Sequence, residues 1–201
     1  MNPVVALRPP VSLYLAILVL LLSLVACGSD TEPAPDATTD TRTRVEEISE
    51  HVDTWRSAED LIEATAAAEA AANLVVGPNG PGYGDRNGDG RVDGETDIGL
   101  LPGIDGSPAG LVLNELGTAS CVDRDVLGGP WDDPAMRWGE LDRAIDEWAP
   151  TNNTFPLLAS HPMRIVGWAT LTQGATLEQA HEFAGHAGLH VSVTTSALDG
   201  C

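Results

Sequence analysis

The chain has 201 residues, enough for one ordinary domain, and carries 30 Asp and Glu against 10 basic residues for a formal charge of −20. All ten basic residues are arginines, and the lack of lysine excludes a P-loop lysine, Schiff-base catalysis and Ser-x-x-Lys acylation. With so acidic a balance nothing is left to grip a phosphate backbone, so nucleic acid is excluded as a partner.

Residues 1–26 open with Arg8 and an apolar run from Val11 to Ala26, broken only by Ser12, Tyr14 and Ser23. That run is short for a permanent membrane span and reads as the h-region of an export signal. It closes on Leu24-Val25-Ala26-Cys27, which resembles the lipobox of bacterial lipoproteins. The resemblance implies cleavage before Cys27, lipidation of its thiol and a stable membrane anchor outside the cytoplasm. Gly28 after the cysteine implies the outer membrane in a Gram-negative cell, and otherwise the cell surface. Cys121 and Cys201 then remain, and in an oxidising compartment one disulfide is their simplest state, with free thiols or an intermolecular bridge as the alternatives. A bond between them closes a loop of about 80 residues, worth roughly 4 kcal/mol in the chain-entropy account.

Residues 27–42 are rich in Pro, Thr and Asp with almost nothing apolar, and read as a solvated tether. The folded domain is expected over 43–201. Thr43 with Glu46 makes a capping-box pattern, and Val45, Ile48, Val52, Trp55 and Ile62 follow at helical steps. The helix continues through Ala64–Ala72 to a stop at Gly77-Pro78, with a possible break where Ser57 and Asp60 can cap a second helix. Ser107-Pro108 predicts an N-cap and first residue of a short helix ending at Gly117. Asp133-Pro134 predicts the same for a helix with Trp138, Leu141, Ile145 and Trp148 on its buried stripe. Ser160 and Thr176 with Gln179 open two more, the last running from Leu177 to about Ala197. Val191–Thr195 has β-like composition and is the weakest helical segment. The expected fold is all-α, an irregular bundle of about four to five helices with one inserted loop and no internal repeat.

The inserted loop, residues 85–98, reads DRNGDGRVDGETDI. Asp85, Asn87, Asp89 and Asp93 supply oxygen-bearing side chains at steps of two or four, Gly90 permits the sharp turn, Arg91 offers its carbonyl and Val92 is expected to turn inward. Hard oxygen donors at this density suit Ca²⁺. The loop resembles that of EF-hands and, still more, of dockerin modules, whose motif is followed by an Asp and a short leucine-bearing helix, here Asp97-Ile98-Gly99-Leu100-Leu101. The twelfth place, where those families need a bidentate carboxylate, is Thr96, so Asp97, or Glu95 as its alternative, completes the site. Affinity is expected in the weak extracellular range, about 10⁻⁴ to 10⁻³ M. The chain has one such loop where dockerins have two, so cohesin binding does not follow. The alternative is an acidic surface turn without an ion.

The last helix carries His181-Glu182-Phe183-Ala184-Gly185-His186, one residue too long for the zinc-protease motif; its two histidines lie about 140° apart around a helix. Glu182, His186 and His190 instead recur every four residues, a spacing that can chelate Zn²⁺ or Cu²⁺ or form a solvated face. His181 falls on the packing seam, and His161 and His51 join a metal site only if the bundle turns them inward. The five tryptophans are expected to anchor the core; Trp131, outside the expected helices, is the one whose exposure tests a sugar-stacking role. The reading is a lipid-anchored, extracytoplasmic calcium-binding module with an unknown protein or glycan partner and no catalytic residues assigned. The alternative is a transition-metal protein or metalloenzyme using the Glu/His stripe.

Overall fold

The computed structural model describes residues 37–151 and 155–200, with side-chain surroundings from Asp40 onward. The segment 1–26 expected to be an export signal, the expected lipidation site Cys27 and Cys201, the expected disulfide partner of Cys121, lie outside the described residues. Within them the fold is all-α. The helices are α1 (Ala37–Ser57), α2 (Leu61–Val76), α3 (Gly110–Glu115), α4 (Ser120–Val122, running into a π-helical turn Asp123–Leu127), α5 (Pro134–Asp146), α6 (His161–Thr172) and α7 (Leu177–Asp199). No helix among the described residues is long and apolar enough to cross a membrane.

Four long helices form the body: α1 packs on α2 and α7, and α6 packs on the same two, so each has two neighbours. The stripe Val45, Ile48, Val52 and Trp55 of α1 is buried as its spacing requires. Ile62 is 74% exposed, because the chain breaks before it and α2 starts a new helical phase. Asp60 makes that break by accepting a hydrogen bond from the Glu63 amide, and the Glu63 carboxylate accepts one from the Glu59 amide. The cap is therefore Asp60 and not Ser57.

Helix α2 is buried on all sides from Ala67 to Val76. Its alanines let helices approach on one flank and a loop on the other, which longer side chains would prevent. The chain then leaves the bundle, makes the 77–109 excursion and returns by bonding Leu100 and Leu101 amides to the Leu74 and Val75 carbonyls at the end of α2. Both leucines are at most 1% exposed. The expected leucine-bearing exit helix is absent, since those amides cap α2 instead of forming a turn of their own.

The caps at Asp133, Ser160 and Thr176 occur as expected; Thr176 and Gln179 make both halves of a capping box. Residues 191–195 are helical, their β-like composition overridden by packing of Val191 and Thr194. Two further expectations fail. The Ser107-Pro108 peptide is cis and α3 starts two residues later at Gly110, without a side-chain cap. Helix α1 starts at Ala37, inside the expected tether, because Thr41 is fully buried with its amide and hydroxyl on Glu115, and Arg42 reaches Asp199 and the Leu198 carbonyl. These partners lie more than 70 residues away and leave no local trace.

Four aromatic rings form one cluster: Trp168 lies 4.7 Å from Phe155 and 5.3 Å from Phe183, and Trp148 5.6 Å from Phe183. Gly167 faces this cluster and not a second helix; an added Cβ would come within 2.8 Å of the Phe155 ring. Gly139 is also helical, but exposed and open around its Cβ position. Gly167→Ala is expected to destabilise by about 1–3 kcal/mol through overpacking, and Gly139→Ala to stabilise by about 1 kcal/mol through helix propensity. Urea melts of the two variants measure both signs.

Candidate metal centre

The loop begins as a series of side-chain-capped turns. One Asp85 carboxylate oxygen accepts from the Gly88 amide at 2.6 Å and the Asp89 amide at 3.1 Å, and the other from the Gly90 amide at 2.8 Å. Asn87 Oδ1 accepts from the Asp89 amide and Asp89 Oδ1 from the Arg91 amide, both at 2.9 Å. Gly88 and Gly90, at φ of 76° and 87°, supply the left-handed residues that such winding needs. The Asp85 oxygen that takes two amides has both lone pairs engaged, whereas its other oxygen, Asn87 Oδ1 and Asp89 Oδ1 each accept one amide and keep a lone pair for a cation.

Two residues that sequence reasoning missed hold this loop against α2. Glu69 is fully buried and its carboxylate accepts three loop amides, from Arg86 at 2.7 Å, Asn87 at 2.9 Å and Asp93 at 2.9 Å. One turn on, fully buried Asn73 donates to the Gly84 and Asp93 carbonyls and accepts from the Gly84 amide. Their signal was present: within the run Ala66–Val76 only Glu69 and Asn73 are polar, at an i, i+4 spacing that places both on one flank of the helix. Arg86 lies beside them. Burial pulls its guanidinium down to about 10, against the opposing attraction of Glu69. Gly94 lets the loop touch the helix, since a Cβ there would stand 2.4 Å from the Ala70 carbonyl oxygen, and its φ of 70° disfavours any side chain. Gly94→Ala is expected to loosen this contact and lower the melting temperature by several degrees, seen by differential scanning calorimetry.

The donor set fits a hard cation. Asp93 Oδ2 is buried without a hydrogen-bond partner, so the loop holds an oxygen that the protein itself leaves unsatisfied; Asn87 Nδ2 is also unpartnered but is a donor and offers a cation nothing. The Arg91 guanidinium, 70% exposed, stands 3.5 Å from Asp89 and 3.9 Å from Asp93, where two carboxylates draw a positive charge. Three expectations of the calcium reading change in detail. Val92 is 40% exposed and does not turn inward; Tyr83 fills the inner side instead, its hydroxyl bonded to the Thr96 amide and carbonyl. Glu95 and Asp97 are both exposed, flanking Thr96. No group of three or more His, Cys, Asp or Glu able to hold a metal converges among the described residues, so an ion here draws on amide and carbonyl oxygens or water as well.

The histidines sort differently from their spacing. His186 stacks on Trp168 at 4.6 Å and lies 3.9 Å from Glu182. His190 turns to the neighbouring helix, with its Nδ1 3.0 Å from Nδ1 of His161. Burial pushes His190 down to about 3, helped by His161, Arg164 and His186, and burial also lowers His161. His181 sits on the seam as expected, its Nε2 3.0 Å from the Ala58 carbonyl oxygen. Trp131 is 9% exposed, bonded to the Leu127 carbonyl and edge-on to Trp138, so it offers no sugar platform. The chain matches no family model, no curated protein and no solved structure.

Proposed function

We propose that the chain is a lipid-anchored, extracytoplasmic protein whose helical body carries a structural Ca²⁺ in the 85–93 loop, serving as a binding or envelope-associated module. The observation that carries the calcium reading is the unsatisfied Asp93 Oδ2 in a loop whose other oxygen donors are already wound by amides. Asp85, Asn87 and Asp89 would contribute side-chain oxygens, Arg91 its carbonyl and Asp93 its free oxygen, with Asp97 or Glu95 and water filling the sphere. The ion would neutralise charge that the loop otherwise concentrates, and it would tie the 77–109 excursion to α2 through Glu69 and Asn73. The lipid anchor at Cys27 and the Cys121–Cys201 disulfide belong to the same reading. Cys121 and Gly200 line one groove, which supports pairing of Cys121 with the next residue along.

Thermal melting of the full-length, detergent-solubilised protein tests the site. Millimolar Ca²⁺ is expected to raise the melting temperature and a chelator to reverse it, because an ion bound only to the native state stabilises by mass action. Asp85→Asn with Asp93→Asn removes the effect if the reading holds. Identical melting with and without Ca²⁺ in the native chain overturns it.

A further inference from the structure

We propose that His161 and His190 form a second, separate metal site: a two-nitrogen chelate that takes a borderline divalent ion, Zn²⁺ or Cu²⁺, and clips α6 to α7. His161 is the first residue of α6 and His190 lies well inside α7, so neither helix supplies both donors. Their rings stand 5.0 Å apart at 60°, and the two Nδ1 atoms face each other at 3.0 Å. Without an ion this contact is satisfied by one ring holding its proton on Nδ1 and donating it to the other. Two metal–nitrogen bonds of about 2.0–2.1 Å at a tetrahedral angle separate the nitrogens by about 3.3 Å. The ion therefore enters on an opening of a few tenths of an ångström. The Nδ1 proton moves to Nε2 of its own ring, and at neutral pH no net proton is released.

The surroundings favour imidazole ligation over a bare polar contact. Metal-binding histidines must be neutral, and this pair is partly shielded from water, which disfavours their protonation. From the π-helical turn, Asp125 acts electrostatically on His161 while paired with Arg124. Arg164 of α6 opposes a cation, but its Nε is held on the Leu158 carbonyl. His186 is the remaining titratable neighbour of His190, and its ring is engaged on Trp168. With two nitrogens from the chain and no third His, Cys, Asp or Glu converging among the described residues, the remaining positions belong to water or an external ligand. Such a nitrogen site discriminates against Ca²⁺, which takes oxygen. It also differs from a Glu182/His186/His190 stripe, because the partner of His190 comes from another helix.

The test is Cu²⁺ and Zn²⁺ titration of the full-length, detergent-solubilised protein in millimolar Ca²⁺, which keeps the acidic loop from competing. One ion per chain is expected, with affinity at least tenfold weaker in His161→Gln and in His190→Gln and unchanged in Glu182→Gln, helix content being checked by circular dichroism. Nitrogen-15 spectra of the wild-type histidines avoid dependence on variant folding: Zn²⁺ should shift Nδ1 of His161 and His190 and leave Nε2 protonated. Absence of binding, wild-type affinity in either histidine variant, or shifts at His186 in place of the pair would overturn the proposal. The contrast between variants and the shifts at His161 and His190 do not depend on Ca²⁺ occupying the loop.

Discussion

Glu69→Gln is expected to destabilise the protein by about 2–4 kcal/mol, because it weakens three hydrogen bonds to a buried carboxylate and leaves at least one loop amide without an acceptor. The native carboxylate satisfies three loop amides and is the electrostatic partner of Arg86. Glutamine keeps one acceptor and turns an NH₂ toward amides that also donate, and it withdraws the negative charge that attracts the half-buried Arg86 guanidinium. Urea denaturation at neutral pH measures the loss. Glu63→Gln, which alters only the exposed return half of the α2 cap, is expected to cost below about 1 kcal/mol. Equal losses in the two variants would mean that the loop does not depend on its α2 socket.

Acid is expected to unfold the protein through the α6–α7 histidine contact before carboxylate titration dominates. His190 has its folded-state value lowered to about 3, against an ordinary value of about 6.5. The unfolded chain therefore binds the proton first. Stability is complete above about pH 6.5 and falls as the pH drops toward 3, by at most about 1.4 kcal/mol per unit for this residue. His161 is lowered in the same direction, and its protonation adds to the positive charge of Arg164. Between pH 6.5 and 4 the loss from His190 amounts to about 2–3 kcal/mol. His190→Gln should flatten that part of the stability profile. An unchanged slope in the variant would show that other groups carry it.

Legibility in the sequence followed the range of the determining interaction. Caps at Asp133, Ser160 and Thr176 bond within three residues, so their residue types announce them. The stripe of α1 was equally readable, because burial repeats with the helical period. What sequence withheld was non-local. The start of α1 depends on Glu115 and Asp199, and the fate of Leu100-Leu101 depends on the open carbonyls of α2. In the loop, the donor spacing was visible, whereas the socket left only the Glu69/Asn73 pair in an alanine run, which reads as a solvent-facing flank until the loop is laid over it. His190 shows the same limit: spacing within α7 pointed to His186, and only the packing of α6 brings His161 to it.

A crystal structure of the full-length protein grown with millimolar Ca²⁺ tests the central claim most directly. The account predicts one ion inside the 85–93 loop with oxygens of Asp85, Asn87, Asp89 and Asp93 at about 2.3–2.6 Å, and the Glu69 carboxylate still on its three amides. A loop with the same winding, holding only water or the Arg91 side chain where the ion belongs, would contradict it.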